Sequence, residues 1–164
     1  MMTKSSLFST RNDLPLEIRE KVITLLNQHL ADSFDLYSQT KQAHWNVKGP
    51  QFFQMHELFD KLAEEVEGQV DMIAERATSL GGIARGTASQ AAAASRLPDY
   101  PAEAIKGQQH LEALVVCFAA LAATTRAAID TASKLGDAGT ADLFTEISRA
   151  LDKALWFLES HTHG

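Results

Sequence analysis

The sequence of 164 residues has few of the features that mark secreted or membrane proteins. Its single cysteine, Cys117, allows no disulfide within the chain, and its place in the apolar run LEALVVCFAALAA favours a buried small side chain. The longest apolar run, from Ala113 to Ala123, is shorter than the roughly 20 residues that span a bilayer. The N-terminal residues MMTKSSLFSTRND contain no apolar export segment. We therefore expect a cytoplasmic protein without a membrane segment.

Positive charge is also scarce. Fifteen lysines and arginines stand against 21 aspartates and glutamates, which gives a formal net charge of −6. This balance disfavours general binding to polyanions and suits a surface that collects cations. Hydrophobic residues make up 45 %, as in ordinary globular proteins. At this length we expect one domain over residues 13–160, with a flexible N-terminal tail over 1–12 and a short C-terminal tail over 161–164.

Apolar residues at steps of three and four predict four long helices, and Gly-Pro and Gly-Gly pairs separate them. The predicted helices span about 13–45, 51–80, 102–135 and 140–160. Residues 83–101 form a long connection whose run AAAAS favours a short helix. No run with the alternation of a β-strand competes with this pattern. Two helices, a long crossover and two more helices predict an all-α four-helix bundle with ferritin-like connectivity.

One face of the second predicted helix carries a histidine and six carboxylates. At about 100° per residue, these side chains share a quarter of the circumference, away from the apolar stripe. A solvated acidic face is the ordinary interpretation. However, carboxylates four residues apart repel one another by a few tenths of a kcal/mol, and almost no basic residue relieves them. A bound cation would do so. The residues are His56, Glu57, Asp60, Glu64, Glu67, Asp71 and Glu75.

Two pairs on this face are spaced so that both members can reach one ion: His56 with Asp60, and Asp71 with Glu75. Fifteen residues separate the pairs, about 22 Å along a helix, so one chain cannot join them. A second copy, packed antiparallel about a two-fold axis near residues 65 and 66, would bring the pairs of two subunits together. The spacing therefore predicts two equivalent sites shared between subunits.

His44 precedes the chain reversal at Gly49-Pro50, which carries it towards the pair on the second helix. Alone, such a histidine more often packs or caps a helix. Alongside His56 and Asp60, we predict that it is a third ligand. Mixed imidazole and carboxylate ligands with open positions suit Fe(II) and stabilise Fe(III), and they also bind zinc or another divalent metal.

Several segments resemble the Dps family of mini-ferritins. They are TKQAHWNVKGPQFFQMHELFD, DMIAER, LGG and TADLFTEISRALDKALWFLES, within a similarity that runs from Arg11 to Ser160. The histidines and carboxylates follow the pattern H-x11-H-x3-D-x10-D-x3-E. The resemblance implies a hollow homododecamer with tetrahedral symmetry and ferroxidase centres at its two-fold interfaces. These centres would oxidise Fe(II), preferentially with hydrogen peroxide rather than oxygen, and the cage would store ferric mineral and protect DNA from oxidative damage.

The resemblance also implies a role for each matching residue. Iron is the implied metal, bound by His44, His56 and Asp60 of one subunit with the partner subunit's Asp71 and the partner subunit's Glu75.

Further residues match the family around this centre. Trp45 would donate an electron to oxidising radicals, with simple packing as the alternative. Glu57 and Glu64 are candidates for mineral nucleation, with a solvated face as the alternative.

Asp137 and Asp142 flank the start of the last helix, where the family forms a negatively charged three-fold pore. An ordinary acidic residue at a helix N-terminus would explain either of them. Asp142 is the stronger pore candidate because it lies within the matching segment TADLF.

Two other functions remain open at this stage. The first is a nucleoid-associated DNA-binding protein with a secondary metal site. Its N-terminal tail offers Lys4 and Arg11 against Asp13, a weak basic arm whose effect twelve copies would multiply and salt would diminish. The second is an ordinary ferritin with a di-iron site inside each bundle. That site uses Glu-x-x-His pairs, and none of the six histidines belongs to one.

Overall fold

The computed structural model describes residues 7–164 and contains five helices. Among the described residues no β-strand is formed, and one isolated bridge joins Lys48 to Lys106. Four long helices with a short helix in the crossover confirm the predicted all-α, ferritin-like bundle. The helices are α1 (Leu16–Asn46), α2 (Phe52–Ser79), α3 (Ala88–Ala94), α4 (Gly107–Lys134) and α5 (Ala138–Ser160).

The helices pair in chain order around one apolar core. The two hairpins are α1 with α2 and α4 with α5, while α3 lies against α1. Phe59 of α2, Phe118 of α4 and Phe144 of α5 are fully buried where the pairs meet. Burying a side chain of this size stabilises the fold by about 2 kcal/mol relative to exposure. The periodic apolar positions of the sequence are the positions that form this core.

By length and composition, α4 is apolar enough to cross a membrane. In the bundle it is a core helix, with Leu111, Leu114, Phe118 and Leu121 buried. A core helix can meet the same criterion because it carries a long apolar face that packs inside the bundle.

The start of α4 lies five residues beyond its predicted position. Residues 101–106 form a turn instead, in which Ala104 N–H donates to the Pro101 carbonyl over 3.1 Å. Lys48 N–H donates to the Ile105 carbonyl over 2.9 Å and ties this turn to the start of α2. The Gln109 side chain then accepts from Lys106 N–H at the true helix start.

A glycine at the end of α2 brings the N-terminal segment onto the bundle. Gly81 has φ +90°, and a Cβ there would lie 2.6 Å from the Phe8 carbonyl oxygen. Phe8 N–H donates to the Gly81 carbonyl over 2.8 Å, and Leu7 packs on the core. Residues 7–12 of the predicted tail are therefore attached to the bundle at this point. Residues 1–6, including Lys4, lie outside the described residues, so the predicted boundary of a flexible tail stays a prediction.

Candidate metal centre

Two histidines at the turn between α1 and α2 hold each other in place. His44 Nδ1 lies 2.8 Å from the His56 carbonyl oxygen, and His56 Nδ1 lies 2.8 Å from the His44 carbonyl oxygen. A carbonyl can only accept, so each Nδ1 carries a proton and donates it. Each Nε2 is then left with its lone pair. Histidine ligands of metals have this arrangement, in which one ring nitrogen is fixed by an acceptor and the other binds the ion.

The two rings are also fixed by stacking. Their centroids are 3.8 Å apart and the ring planes meet at 18°. The Phe52 ring lies 5.0 Å from that of His56, and only 13 % of the His44 side chain is exposed. We call this reciprocal pair of His44 and His56 the histidine clasp. Because its rings are already oriented, a metal ion would bind it without reorganising the turn.

Asp60 adds a carboxylate one helical turn beyond His56. Its Oδ1 atom lies 3.7 Å from His44 Nε2 and 2.7 Å from Lys41 Nζ. The hydrogen bond from Lys41, together with the positive charge of that lysine, holds the pKa of Asp60 below its ordinary value. The carboxylate is therefore ionised, with the Lys41 ammonium as its counterion. A metal ion at this position would take the place of that ammonium.

The second predicted pair, Asp71 and Glu75, lies apart from the clasp because 15 residues of α2 separate it from His56 and Asp60. Asp71 and Glu75 are exposed on α2, and neither belongs to an ion pair among the described residues. Within residues 7–164 no group of three metal-binding side chains forms a complete site in a single chain. Gly68, near the middle of α2, is exposed, and a Cβ there would meet nothing within 4 Å. The surface between the pairs is therefore open to a second helix.

The remaining residues predicted around the centre lie on the surface. Trp45 is 66 % exposed, and Lys41 Nζ lies 5.8 Å from the centroid of its ring. Glu57 and Glu64 are exposed on α2, and Asp142 is exposed on α5. Each is accessible to solvent in one chain, and its role stays a prediction.

Asp137 occupies a different position from the one expected for a pore residue. Its side chain is 2 % exposed, and it caps α5 by accepting from the Thr140 N–H over 2.9 Å. Arg76 of α2 donates to the same carboxylate over 2.9 Å. A carboxylate enclosed in this way cannot line a channel of the surface. We therefore correct the pore assignment of Asp137 to a helix cap, the alternative that the sequence left open.

Lys41 is a part of the centre that sequence reasoning missed. It lies three residues before His44, so both side chains project from one face of α1. This spacing is the feature of the sequence from which Lys41 could have been predicted as a neighbour of the centre. Its importance depends on the contact with Asp60 across the hairpin, which becomes visible once α1 and α2 are paired.

The interior of the bundle offers no competing centre among the described residues. His29 packs on Phe144 with centroids 4.8 Å apart, and burial lowers the pKa of its ring to about 4. His110, also buried, is hydrogen-bonded to Tyr100. No carboxylate cluster that could hold metal accompanies either imidazole in residues 7–164.

Comparison with known proteins gives the same fold and a narrower family. The family model for a ferritin-like domain matches residues 23–163. The "DNA protection during starvation protein" of Agrobacterium fabrum (strain C58 / ATCC 33970) is 46 % identical over 152 residues, covering 93 % of this chain and 94 % of that relative. A protein of the same name from Brevibacillus brevis is 34 % identical over 146 residues, covering 87 % of this chain and 95 % of that relative.

Solved structures agree. DpsC from Streptomyces coelicolor has a TM-score of 0.92 at 29 % identity, covering 97 % of this chain and 93 % of its own. A Dps protein from Vibrio cholerae O1, described as a member of a broad superfamily of ferritin-like diiron-carboxylate proteins, has a TM-score of 0.85 at 26 % identity, covering 94 % of this chain and 99 % of its own. The fold and the relatives together define a ferritin-like protein. Within that class, this chain belongs to the Dps family.

Proposed function

We propose that this protein is a ferroxidase and iron store whose centres are completed between subunits of a hollow dodecamer. The histidine clasp is the observation that carries the proposal, because it presents two oriented imidazoles and places His44 Nε2 3.7 Å from the ionised Asp60. The exposed Asp71 and Glu75 are the complementary half. An antiparallel contact of two α2 helices near Gly68 would join the halves and would form two centres at once.

Fe(II) is the substrate of these centres. His44, His56 and Asp60 bind it, and Lys41 leaves Asp60 as the ion arrives. Carboxylates from the partner subunit add negative charge, which stabilises the ion as its charge increases to that of Fe(III). Two Fe(II) ions supply both electrons that reduce one hydrogen peroxide molecule to two water molecules, with two protons taken from solvent. Hydroxyl radical is then not released. Oxygen is the slower oxidant, and zinc or another divalent metal competes for the same ligands.

The cage stores the product and removes the reactants that damage DNA. Asp142 lines the three-fold pores through which Fe(II) enters, and Glu57 and Glu64 nucleate the ferric mineral. The protein acts in the cytoplasm, where it protects DNA by consuming Fe(II) and peroxide together. Tight association with the nucleoid is the alternative, and it would require DNA to bind independently of the metal ligands.

The first test is peroxide-driven oxidation in mixed cages. The assembled protein is loaded with Fe(II) without oxygen, then titrated with hydrogen peroxide or with air while ferric absorbance and hydroxyl-radical trapping are followed. We expect fast oxidation by peroxide with little radical, and its loss in His56→Ala and in Asp71→Ala. Co-assembly of the two variants recovers part of the rate, because some interfaces then combine an intact clasp with intact carboxylates.

Glu17→Ala is the matched control, since it removes an exposed carboxylate that pairs with Lys21 far from the clasp. It should oxidise iron as the unsubstituted protein does. Oxidation no faster than that of free iron, or oxidation that survives both ligand substitutions, would refute the shared centre. Failure of mixed cages to exceed either variant alone would mean that the imidazole and carboxylate halves do not combine across an interface.

A further inference from the structure

An aromatic side chain outside the candidate centre shares a cavity with Trp45. Trp45 at the end of α1 and Tyr100 in the crossover both line a surface cavity of about 410 Å³. Electron transfer between rings falls off exponentially with distance, and of the two tyrosines Tyr100 is the one that lines this cavity with Trp45. Trp45 follows His44 directly in the chain, which places Tyr100 one step further from the metal ligands.

Tyr100 is hydrogen-bonded to a buried imidazole, that of His110. Its hydroxyl forms a hydrogen bond with His110 Nδ1. His110 is 0 % exposed, and its Nε2 has no partner within residues 7–164. A buried polar atom without a partner is uncommon and calls for an explanation, such as a redox or catalytic role. The other ring nitrogen, Nδ1, is the one that the phenol engages.

Both groups are uncharged at rest. Burial lowers the pKa of His110, and the backbone carbonyl of Ile105 partly opposes that shift. Burial also raises the pKa of Tyr100 well above its ordinary value. The phenol therefore keeps its proton until it is oxidised, while His110 is a neutral acceptor beside it. Loss of an electron from Tyr100 makes its hydroxyl strongly acidic, so the proton then moves to Nδ1.

We propose that Tyr100 and His110 extend the electron donation implied for Trp45 into a relay, which takes up one oxidising equivalent from the metal centre and stores it as a tyrosyl radical. The relay rests on the proposed function for its oxidant. A centre holding a single Fe(II) gives peroxide one electron and releases hydroxide and hydroxyl radical. Hydroxyl radical takes an electron from Trp45 and becomes hydroxide, leaving the tryptophan radical cation.

The following steps balance in charge and atoms. Tyr100 gives an electron to the Trp45 radical cation and its proton to His110, which yields neutral Trp45, a tyrosyl radical and an imidazolium. A later Fe(II) returns one electron to the tyrosyl radical and becomes Fe(III), while His110 returns the proton. The net result is that hydroxyl radical and Fe(II) become hydroxide and Fe(III). The relay therefore removes a radical formed when the centre is only half loaded.

The test uses metal-free assembled protein, so that its outcome is independent of ferroxidase activity. Azide radical made by pulse radiolysis oxidises exposed tryptophan by one electron, and absorbance then follows the tryptophan and tyrosyl radicals. We expect tyrosyl radical to form as tryptophan radical decays, and this transfer to be lost in Trp45→Phe and in Tyr100→Phe. His110→Gln should slow the transfer without changing the initial yield of tryptophan radical.

The chain contains a matched control for each aromatic residue, since it has two tryptophans and two tyrosines. Trp156 is 61 % exposed, close to the value for Trp45, and Tyr37 packs on Phe34 with centroids 6.1 Å apart. Trp156→Phe and Tyr37→Phe should preserve the transfer. Circular dichroism and assembly size show whether each variant folds.

High-field electron paramagnetic resonance separates a proton acceptor from a merely structural residue. The g-tensor of a tyrosyl radical responds to a hydrogen bond at its oxygen, so His110→Gln should shift it while Tyr37→Phe leaves it unchanged. Tyrosyl radical that survives Tyr100→Phe, or transfer that depends on Trp156 instead of Trp45, would overturn the relay. Iron oxidation by the unsubstituted protein that is no faster than that of free iron, together with an intact radical transfer here, would refute the ferroxidase proposal alone.

Discussion

Lys41 sets the resting state of the candidate centre. Its ammonium lies 2.7 Å from Asp60, and 22 % of its side chain is exposed. A metal ion that binds Asp60 must displace this ammonium and then experiences its positive charge nearby. Lys41 therefore opposes metal binding, while it keeps Asp60 ionised and in place when no metal is bound.

Replacing Lys41 by glutamine should strengthen binding of Fe(II). We expect the dissociation constant to fall a few-fold, because an ion pair whose carboxylate is about half exposed contributes about 1 kcal/mol or less. Anaerobic calorimetric titration of the assembled protein with Fe(II) measures the change, and zinc provides a comparison without redox chemistry. Lys61→Gln is the control, because it also removes one lysine, but its Nζ lies 5.7 Å from the centroid of the Phe157 ring and not on Asp60. Weaker binding in Lys41→Gln would show that this lysine supports the centre instead.

The residues of the centre could be chosen from their spacing, but their contacts could not. The i, i+4 pairs follow from helical geometry, which any amphipathic pattern reveals. The histidine clasp joins the last turn of one helix to the first turn of the next through backbone carbonyls. Backbone acceptors leave no trace in the sequence. The contact of Asp137 could not be predicted either, since its partner Arg76 lies 61 residues away in the sequence.

At the scale of helices, the start of α5 is fixed by the side chains around Asp137. Its carboxylate accepts from Thr140 N–H and from Arg76, and Arg76 Nε also donates to the Thr140 hydroxyl over 2.9 Å. These bonds attach the N-terminus of α5 to the last turn of α2. The network joins the two hairpins at one end of the bundle.

Asp137→Ala should destabilise the fold and Asp142→Ala should not. Loss of the cap costs about 1 kcal/mol, and loss of the partner of Arg76 costs about 2 kcal/mol because that arginine is partly exposed. Thermal unfolding should therefore show a clear decrease in melting temperature for Asp137→Ala. Asp142→Ala, on the exposed face, should keep the melting temperature and slow iron uptake. Equal melting temperatures for both variants would mean that the cap is not required.

The bounds of the helices were predicted well where glycine or proline follows an apolar stripe. The end of α2 before Gly81-Gly82 agrees within one residue, and α1 starts directly after Pro15, three residues beyond its predicted position. The start of α4 was missed because Pro101 and the alanines after it fit a first helical turn equally well. Hydrogen bonds that involve Lys48 and Gln109 fix the start of α4 at its observed position, and Lys48 is distant from α4 in sequence.

At the scale of the whole molecule, the charge separates two ways of protecting DNA. The formal net charge of −6 is multiplied in an assembly, and Arg11 is the exposed basic residue of the described N-terminal segment. Binding to a polyanion through such a surface weakens steeply with salt. Consumption of Fe(II) and peroxide does not require contact with DNA.

We expect protection of plasmid DNA without retention of it. At physiological salt, the assembled protein should prevent cleavage by Fe(II) and hydrogen peroxide while leaving the mobility of the plasmid in a gel unchanged. His56→Ala should remove the protection, and Glu17→Ala should keep it. Retention of the plasmid together with protection that persists in His56→Ala would favour the nucleoid-binding alternative.

The histidine clasp also bears on how such a centre changes over evolution. Its two acceptors belong to the main chain, so no neighbouring side chain can be lost that would release either ring. The imidazole half is therefore insulated from sequence drift in its surroundings. Variation between descendants of this protein would accumulate in the carboxylate half and in Lys41, whose contacts are all made by side chains. Adaptation to another metal would therefore begin with substitutions of the carboxylates and of Lys41, while the two imidazoles stay unchanged.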